Sequence, residues 1–309
     1  MPCITIASIC PLMTPAEPRA NLNRLHDWTR KAAAAKADLA LFPEMFVTGY
    51  IGICDAAPKP STAQQHAFRD LAEPIPGPTT GLLEDEAKSA SIHVCAGLLE
   101  REGDVLYNTQ VLVCPDRGLL GAYRKVQVGH SEAWYSSPGD RFPVFDVKGV
   151  PAGILICRDK SFPEIARILA LEGAKLLLNP HAAVENDRRL FRDWSRRLCA
   201  ARAMENGCYL IANNSICTES VAPDRHAGYS FALDPYGRVV HCDEDPGDAA
   251  KMSLIEVDTD VVDRRRAEEG VHFNLWSRNP SAYARLVDPR SPPAPDTGGS
   301  AAPSMDASS

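Results

Sequence analysis

Short apolar runs recur along most of this chain, and the gaps between them are of two kinds. Runs at Ile4–Ile9, Asp38–Phe42, Ile92–Leu98, Ala152–Ile156, Ala174–Leu178 and Tyr209–Asn213 are preceded or followed by stretches with helical spacing. Runs at Val105–Val113, Leu119–Lys125, Ala227–Leu233, Val239–Cys242 and Met252–Val257 follow one another more closely, with turn residues such as Gly103-Asp104, Asp116–Gly118 and Pro235-Tyr236-Gly237 between several of them. The helical stretches are Asn21–Lys36, with Leu22, Leu25, Trp28 and Ala32 three or four residues apart, Gly77–Lys88, Phe162–Glu172, and Asp187–Asn206 ending at Gly207. Helices join strands that run the same way and tight turns join strands that run opposite ways. A chain using both predicts α/β layers around a mixed sheet.

No repeat or linker interrupts this pattern. After Pro289 the composition turns to Pro, Ala, Ser, Gly and Asp, which lacks the apolar content to fold, so residues 1–288 read as one domain and 289–309 as a disordered tail. The acidic and basic run Asp258–Glu269 reads as a solvated helix face. A net charge of −7 argues against nucleic acid and anionic lipid as partners. Met1–Thr14 has no basic stretch leading an apolar core, and no apolar run reaches the roughly 18 residues of a membrane span, so a cytoplasmic protein is expected. None of the ten cysteines shows C-x-x-C spacing; most lie in apolar runs, and reduced thiols without a bound metal are expected.

Three positions can carry chemistry. In Ile154-Leu155-Ile156-Cys157 an apolar run ends in a cysteine, and Ser161 and Glu164 have the spacing of a capping box opening the next helix around Pro163. Ligands of open α/β sheets bind at the carboxyl ends of strands, and a nearby helix N-terminus favours thiolate. A lone cysteine in such a place is more often buried and inert. Leu39-Ala40-Leu41-Phe42-Pro43-Glu44 places a carboxylate at another strand end, where apolar neighbours suit a general base, although a solvated loop glutamate is commoner. Lys125, in Tyr123-Arg124-Lys125, offers a cation for an oxyanion or, more ordinarily, guards a strand edge.

Together, "LALFPEMFVTGY", "YRKVQV" and "ILICRDKSFPE" resemble, in order and separation, the three signature segments of the nitrilase (carbon–nitrogen hydrolase) superfamily. "ARAMENGCYLIANNS" and "HAGYSFALDPYGRVV" resemble two of its later segments, extending the likeness over about residues 4–270. The resemblance implies a four-layer α-β-β-α sandwich, a homodimer or higher homo-oligomer, and no cofactor. It implies Cys157 as nucleophile, Glu44 as general base and acid, Lys125 as oxyanion cation, the backbone N–H of Arg158 as second oxyanion donor, and Glu132 in "GHSEAWYSSPGD" as a second glutamate.

The expected reaction is hydrolysis of a small-molecule amide through a thioester. True nitrilases of the superfamily generally carry Trp-Glu after the cysteine; Arg158-Asp159 here favours an amidase or carbamoylase, with Asp159 as a structural partner. Lys160 stands where carbamoylases hold a substrate carboxylate, although Ser161 departs from their pattern, so a ureido acid is the alternative substrate. Tyr50, His130, Trp134, Asn179 and His181 are candidate pocket residues by proximity to the motifs, with ordinary loop or core packing as the competing reading. A catalytically silent scaffold is the remaining alternative, and the intact polar set argues against it.

Overall fold

A computed structural model describes residues 3–50, 60–129, 132–183, 188–217, 226, 228–243, 247 and 249–288. His130, the N-terminal residue of the expected 187–206 helix, Ala227 and the 289–309 tail lie outside the described residues.

Two six-stranded sheets form the centre. The first contains β1 (Cys3–Cys10), β2 (Leu39–Leu41), β3 (His93–Glu102), β4 (Val105–Cys114), β5 (Gly118–Arg124) and β12 (Lys251–Asp258), in the order β12-β1-β2-β3-β4-β5. The second contains β6 (Val144–Val147), β7 (Val150–Ile154), β8 (Leu176–His181), β9 (Tyr209–Asn214), β10 (Ser230–Leu233) and β11 (Val239–Cys242), in the order β11-β10-β9-β8-β7-β6. Each has three parallel strands, β1-β2-β3 and β7-β8-β9, with antiparallel strands on both flanks. The helical gaps and the turn-only gaps of the sequence account for this division.

The alternation of side chains builds the layers. In β1, Ile4 and Ile6 face the other sheet while Ala7 and Ile9 face outward; in β8, Leu176 and Leu178 face inward and Leu177 outward. Ile4, Ile6, Leu39 and Leu41 thus meet Ile154, Ile156, Leu178 and Ile211 in a core between the sheets. α1 (Pro18–Ala34) and α3 (Pro78–Ala90) cover the outer face of the first sheet, Leu25 and Leu83 packing with Ile9 and Val94. α4 (Pro163–Leu171) and α5 (Arg188–Asn206) cover the second, through Ile165, Leu169, Cys199 and Ala203. The result is the α-β-β-α sandwich, and every described cysteine is a free thiol.

One local reading is corrected, and two elements appear that the sequence did not announce. Ser161 does not cap α4: its N-cap is Phe162, without a side-chain cap, and Pro163 fills the first turn. Residues Cys157–Ser161 instead close into a tight 3-10 turn that takes Ser161 out of capping position. The capping box lies elsewhere, at Ser61 and Gln64, where it opens α2 (Thr62–Leu71), a helix with one buried side chain, Phe68, and so almost no apolar period to read. β6 was likewise unanticipated; it is four residues long and joins β7 through Lys148-Gly149, both at positive φ.

Polar staples tie the sheets together where the strands end. Asn213 of β9 is fully buried and donates from Nδ2 to the carbonyls of Ile9 (2.7 Å) and Leu41 (2.9 Å) across the sandwich. Ser8 and Ser230 share a hydrogen bond of 2.7 Å, also between sheets. Replacing Asn213 by Leu strips a donor from two buried carbonyls. It is expected to lower unfolding free energy by about 1–3 kcal/mol, and urea denaturation reading an unchanged midpoint would contradict the role given.

Candidate active site

Glu44, Lys125 and Cys157 each follow a strand: Glu44 comes after β2, Lys125 after β5 and Cys157 after β7. Because β2 and β7 belong to the parallel cores of the two sheets, their carboxyl ends open toward a common region. Glu132 joins them from a one-turn 3-10 helix, Glu132–Trp134. The loop carrying Glu44 lies directly on β3, where a Cβ on Gly97 would come 2.3 Å from the Met45 nitrogen, so only glycine admits the approach. Val47 then returns a backbone N–H to the Gly97 carbonyl at 2.9 Å.

One ammonium serves two carboxylates. Lys125 Nζ lies 2.6 Å from Glu44 Oε1 and 2.5 Å from Glu132 Oε2, with all three side chains at most 3% exposed. Asn108 of β4 donates from Nδ2 to Glu44 Oε1 and Glu132 Oε1, both at 2.7 Å. The backbone N–H of Ala182 reaches Glu44 Oε2 at 2.8 Å from the second sheet, and Gly129 N–H reaches Glu132 Oε2 at 3.2 Å. Burial opposes the charge on Lys125, but Glu132 and Glu44 outweigh it and hold the amine well above its ordinary range. Breaking such a buried pair typically costs about 3–5 kcal/mol.

Cys157 is half-buried and sits at φ +45°, a left-handed conformation that costs a non-glycine residue roughly 1–3 kcal/mol. Its turn is pinned by Asp159, whose carboxylate accepts from Tyr123 Oη (2.7 Å), Ile156 N–H (2.9 Å) and Gln127 N–H (2.8 Å). Burial lifts the Asp159 carboxyl to about 6 despite these donors. Lys160 Nζ donates to the Cys157 carbonyl at 3.1 Å, and Arg202 of α5 holds the Lys160 carbonyl at 3.0 Å. Burial, then Glu44, push the Cys157 thiol up to about 11, while Lys160 and Lys125 pull it down. Cys157 itself opens the short 3-10 turn, and the balance of burial and neighbouring charge leaves its thiol favoured over the thiolate.

The remaining candidates divide. Tyr50 lies within electrostatic range of Glu132, Lys125 and Glu44, and its phenol is raised well above the usual range, first by burial. Lys160 is buried beside the thiol, 5.5 Å above the Trp194 ring. The Arg158 guanidinium stands 5.9 Å over the Phe162 ring. Trp134 is 49% exposed. Asn179 and His181 are fully buried on the α5 side of β8, in a chain from Tyr229 Oη to His181 Nδ1, from His181 Nε2 to Asn179 Oδ1, and from Asn179 Nδ2 to the Leu155 carbonyl, each link 2.6 Å. Burial, with Lys160 and Lys125, keeps His181 neutral. These two residues brace the strand ends beneath Cys157.

Sequence reasoning missed Asn108 and His226. Asn108 left a trace, since Asn108-Thr109-Gln110 is a polar triplet in an otherwise apolar strand. His226 left none. It is buried, bonds Ser215 Oγ at 2.8 Å, stands 5.8 Å from the Tyr50 ring, and feels the Glu44 charge. Among the described residues no group of three or more His, Cys, Asp and Glu is arranged to hold a metal ion, and no helix is long and apolar enough to cross a membrane.

Residues 4–267 match the carbon–nitrogen hydrolase family. The chain is 31% identical to a nitrilase of Pyrococcus abyssi, over 82% of this chain and 89% of the relative. It is also 31% identical to an N-carbamoylputrescine amidase of Solanum lycopersicum, over 84% and 86% respectively. Among solved structures it superposes on a variant of the amidase from Nesterenkonia sp. AN1 carrying acrylamide added at the active-site cysteine, with a TM-score of 0.67, 25% identity, and 86% of this chain and 97% of that chain covered. The chain belongs to the carbon–nitrogen hydrolase family, and its activity is the cysteine-dependent hydrolysis of a carbon–nitrogen bond other than a peptide bond.

Burial depresses His226 to about 4, although Glu44 pulls the other way. The unfolded imidazole takes up a proton near pH 6.5, whereas the folded one resists until about pH 4. The contribution is whole above pH 6.5 and drains away as pH falls through this window. Urea titrations between pH 7 and pH 4 are expected to show wild type losing up to about 3 kcal/mol more than His226→Asn. Parallel losses would contradict a neutral buried His226.

Proposed function

We propose that this protein hydrolyses the C–N bond of a small amide through a thioester on Cys157, with Glu44 as base and acid, Lys125 as oxyanion cation and Glu132 as the second carboxylate that holds Lys125. The observation that carries this reading is one buried ammonium shared by two carboxylates, within electrostatic reach of a half-buried thiol.

A thiol near 11 attacks only if its proton leaves as the bond forms. Glu44 takes that proton while the sulfur bonds to the carbonyl carbon. The carbonyl oxygen gains the negative charge and is met by Lys125 Nζ and the Arg158 N–H, at the opening of a helical turn where N–H groups lack intrahelical partners. Such a donor is worth roughly 3–4 kcal/mol in a dry site. The tetrahedral species collapses, the C–N bond breaks, and Glu44 returns the proton to the departing nitrogen, releasing ammonia or an amine. Water then attacks the thioester, giving its proton to Glu44; the C–S bond breaks and the sulfur takes that proton back. Glu132 keeps the Lys125 ammonium charged and in place throughout. Tyr50 stands at the edge of this cluster as a pocket wall.

A ureido acid is the second reading, and Lys160 supports it. A buried cation next to the thiol suits a substrate carboxylate, and it disfavours a ureido amine, whose own charge is positive. The family resemblance supports a homodimer or higher homo-oligomer.

Cys157→Ala is expected to keep the fold and abolish ammonia release across a panel of amides, N-carbamoyl amino acids and nitriles; retention of most activity would remove Cys157 from the mechanism. Release of carbon dioxide with the ammonia marks a ureido substrate. For Lys160→Met, KM for N-carbamoyl amino acids is expected to rise by about tenfold or more relative to KM for uncharged amides, as for loss of a charged hydrogen bond. Equal changes for both classes would leave Lys160 as a brace for the Cys157 turn only.

A further inference from the structure

Asn108 touches Glu44, Lys125 and Glu132, and no step of the proposed reaction uses it. It lies in β4, 1% exposed. The two hydrogens of its Nδ2 go to Glu44 and Glu132, one to each carboxylate. Its carbonyl accepts the Lys125 N–H at 2.8 Å, which fixes the start of the lysine side chain. Its own N–H meets Ser136 Oγ at 3.2 Å, and Ser136 N–H returns to the Glu132 carbonyl at 2.9 Å, closing a ring around the 3-10 turn. Among the described residues, Asn108 Oδ1 is buried without a hydrogen-bond partner. A side chain kept in the interior with one polar end unused is there for its other end, since leaving a buried acceptor unpaired is unfavourable.

We propose that Asn108 is a positioning residue for the acid–base step, holding the Glu44 and Glu132 carboxylates in place about the Lys125 ammonium. The inference rests on the assignment of Glu44 as the base for Cys157. Hydrogen bonds donated to a carboxylate favour its charged form. Two carboxylates this close to one ammonium repel each other, and a neutral amide donating to both opposes that repulsion without adding charge. An aspartate in its place would add a third negative charge, and an alanine would leave each carboxylate one donor short. Asn108 reaches no substrate in this account; it acts through Glu44.

The test reads Cys157 alkylation by iodoacetamide between pH 5 and pH 9, by intact mass, together with ammonia release from propionamide, for wild type, Asn108→Ala, Asn108→Asp and Glu44→Gln. In Asn108→Ala the acid limb of both profiles is expected to move up by about one pH unit, as for a carboxylate losing a donor, with kcat down about 10–100-fold, the range of an acid–base contribution, and KM little changed. Asn108→Asp preserves shape where alanine leaves a gap. It is expected to be nearly inactive at pH 8 and to regain activity as the pH falls and the added carboxyl takes a proton and donates again. An unmoved acid limb in Asn108→Ala, with only a lower melting temperature or a uniform loss of rate, would make Asn108 a packing residue and overturn the proposal. So would an Asn108→Asp variant whose activity falls with pH as wild type does. Glu44→Gln separates the two levels: if it alkylates and turns over like wild type, the base assignment itself has failed, whereas an inactive Glu44→Gln beside an unshifted Asn108→Ala defeats the Asn108 proposal alone.

Discussion

The ammonium of Lys125 is the charge on which the site depends. It is held in the interior with two carboxylates, and moving each such ion out of water costs several kcal/mol even after relaxation. The cost is met in kind, because every oxygen of both carboxylates has a donor: Lys125 and Asn108 at one Glu44 oxygen, the Ala182 N–H at the other, Asn108 at one Glu132 oxygen, and Lys125 with Gly129 N–H at the other. Much of the local backbone serves this arrangement. Gly97 leaves room for the Glu44 loop, the polar centre of β4 supplies the amide, and the short turn at Glu132 folds back on Lys125. A fixed charge in such surroundings acts on a developing oxyanion with little competition from solvent.

The cysteine presents the opposite electrostatic situation. Its thiol is lifted by burial and by Glu44, with Lys160 and Lys125 only partly offsetting them. The left-handed backbone at Cys157 and the three hydrogen bonds gathered by Asp159 fix where the sulfur stands, independently of its charge. Placement is thus supplied by the turn, whereas the charges that act on the thiol come from Glu44 and Lys125 across the sandwich and from Lys160.

Most of the strands were legible because apolar runs and turn residues report directly on which face is buried and where a chain reverses, whereas their order within each sheet came only with the fold. The Glu44, Lys125 and Cys157 segments were legible for a related reason, each being a polar residue set at the end of an apolar run, in an order the family resemblance made coherent. What escaped had weak local signal. α2 buries one side chain, so its capping box at Ser61 and Gln64 was the sole mark of it, while the same pattern at Ser161 and Glu164 was spent on a tight turn instead. Asn179 and His181 follow a motif-like run, yet strand alternation turns them toward α5, where they bond one another. Asn108 and His226 act through partners distant in the chain, which spacing along one sequence does not express.

The cluster is assembled from both halves of the sandwich. Glu44, Asn108, Lys125 and Glu132 belong to the first sheet and its loops, whereas Cys157 and the Ala182 N–H belong to the second. The distance from sulfur to carboxylate is therefore set by how one sheet lies on the other, and a slip of even about 1 Å along that plane can cost around a hundredfold in rate. Ile6, Leu41, Ile154 and Leu178, none of them polar, become gauges of catalytic alignment. Trimming one of them would change how the two halves of the site meet without touching a single polar group, so the dry interior bears on the cleft as directly as the residues that line it.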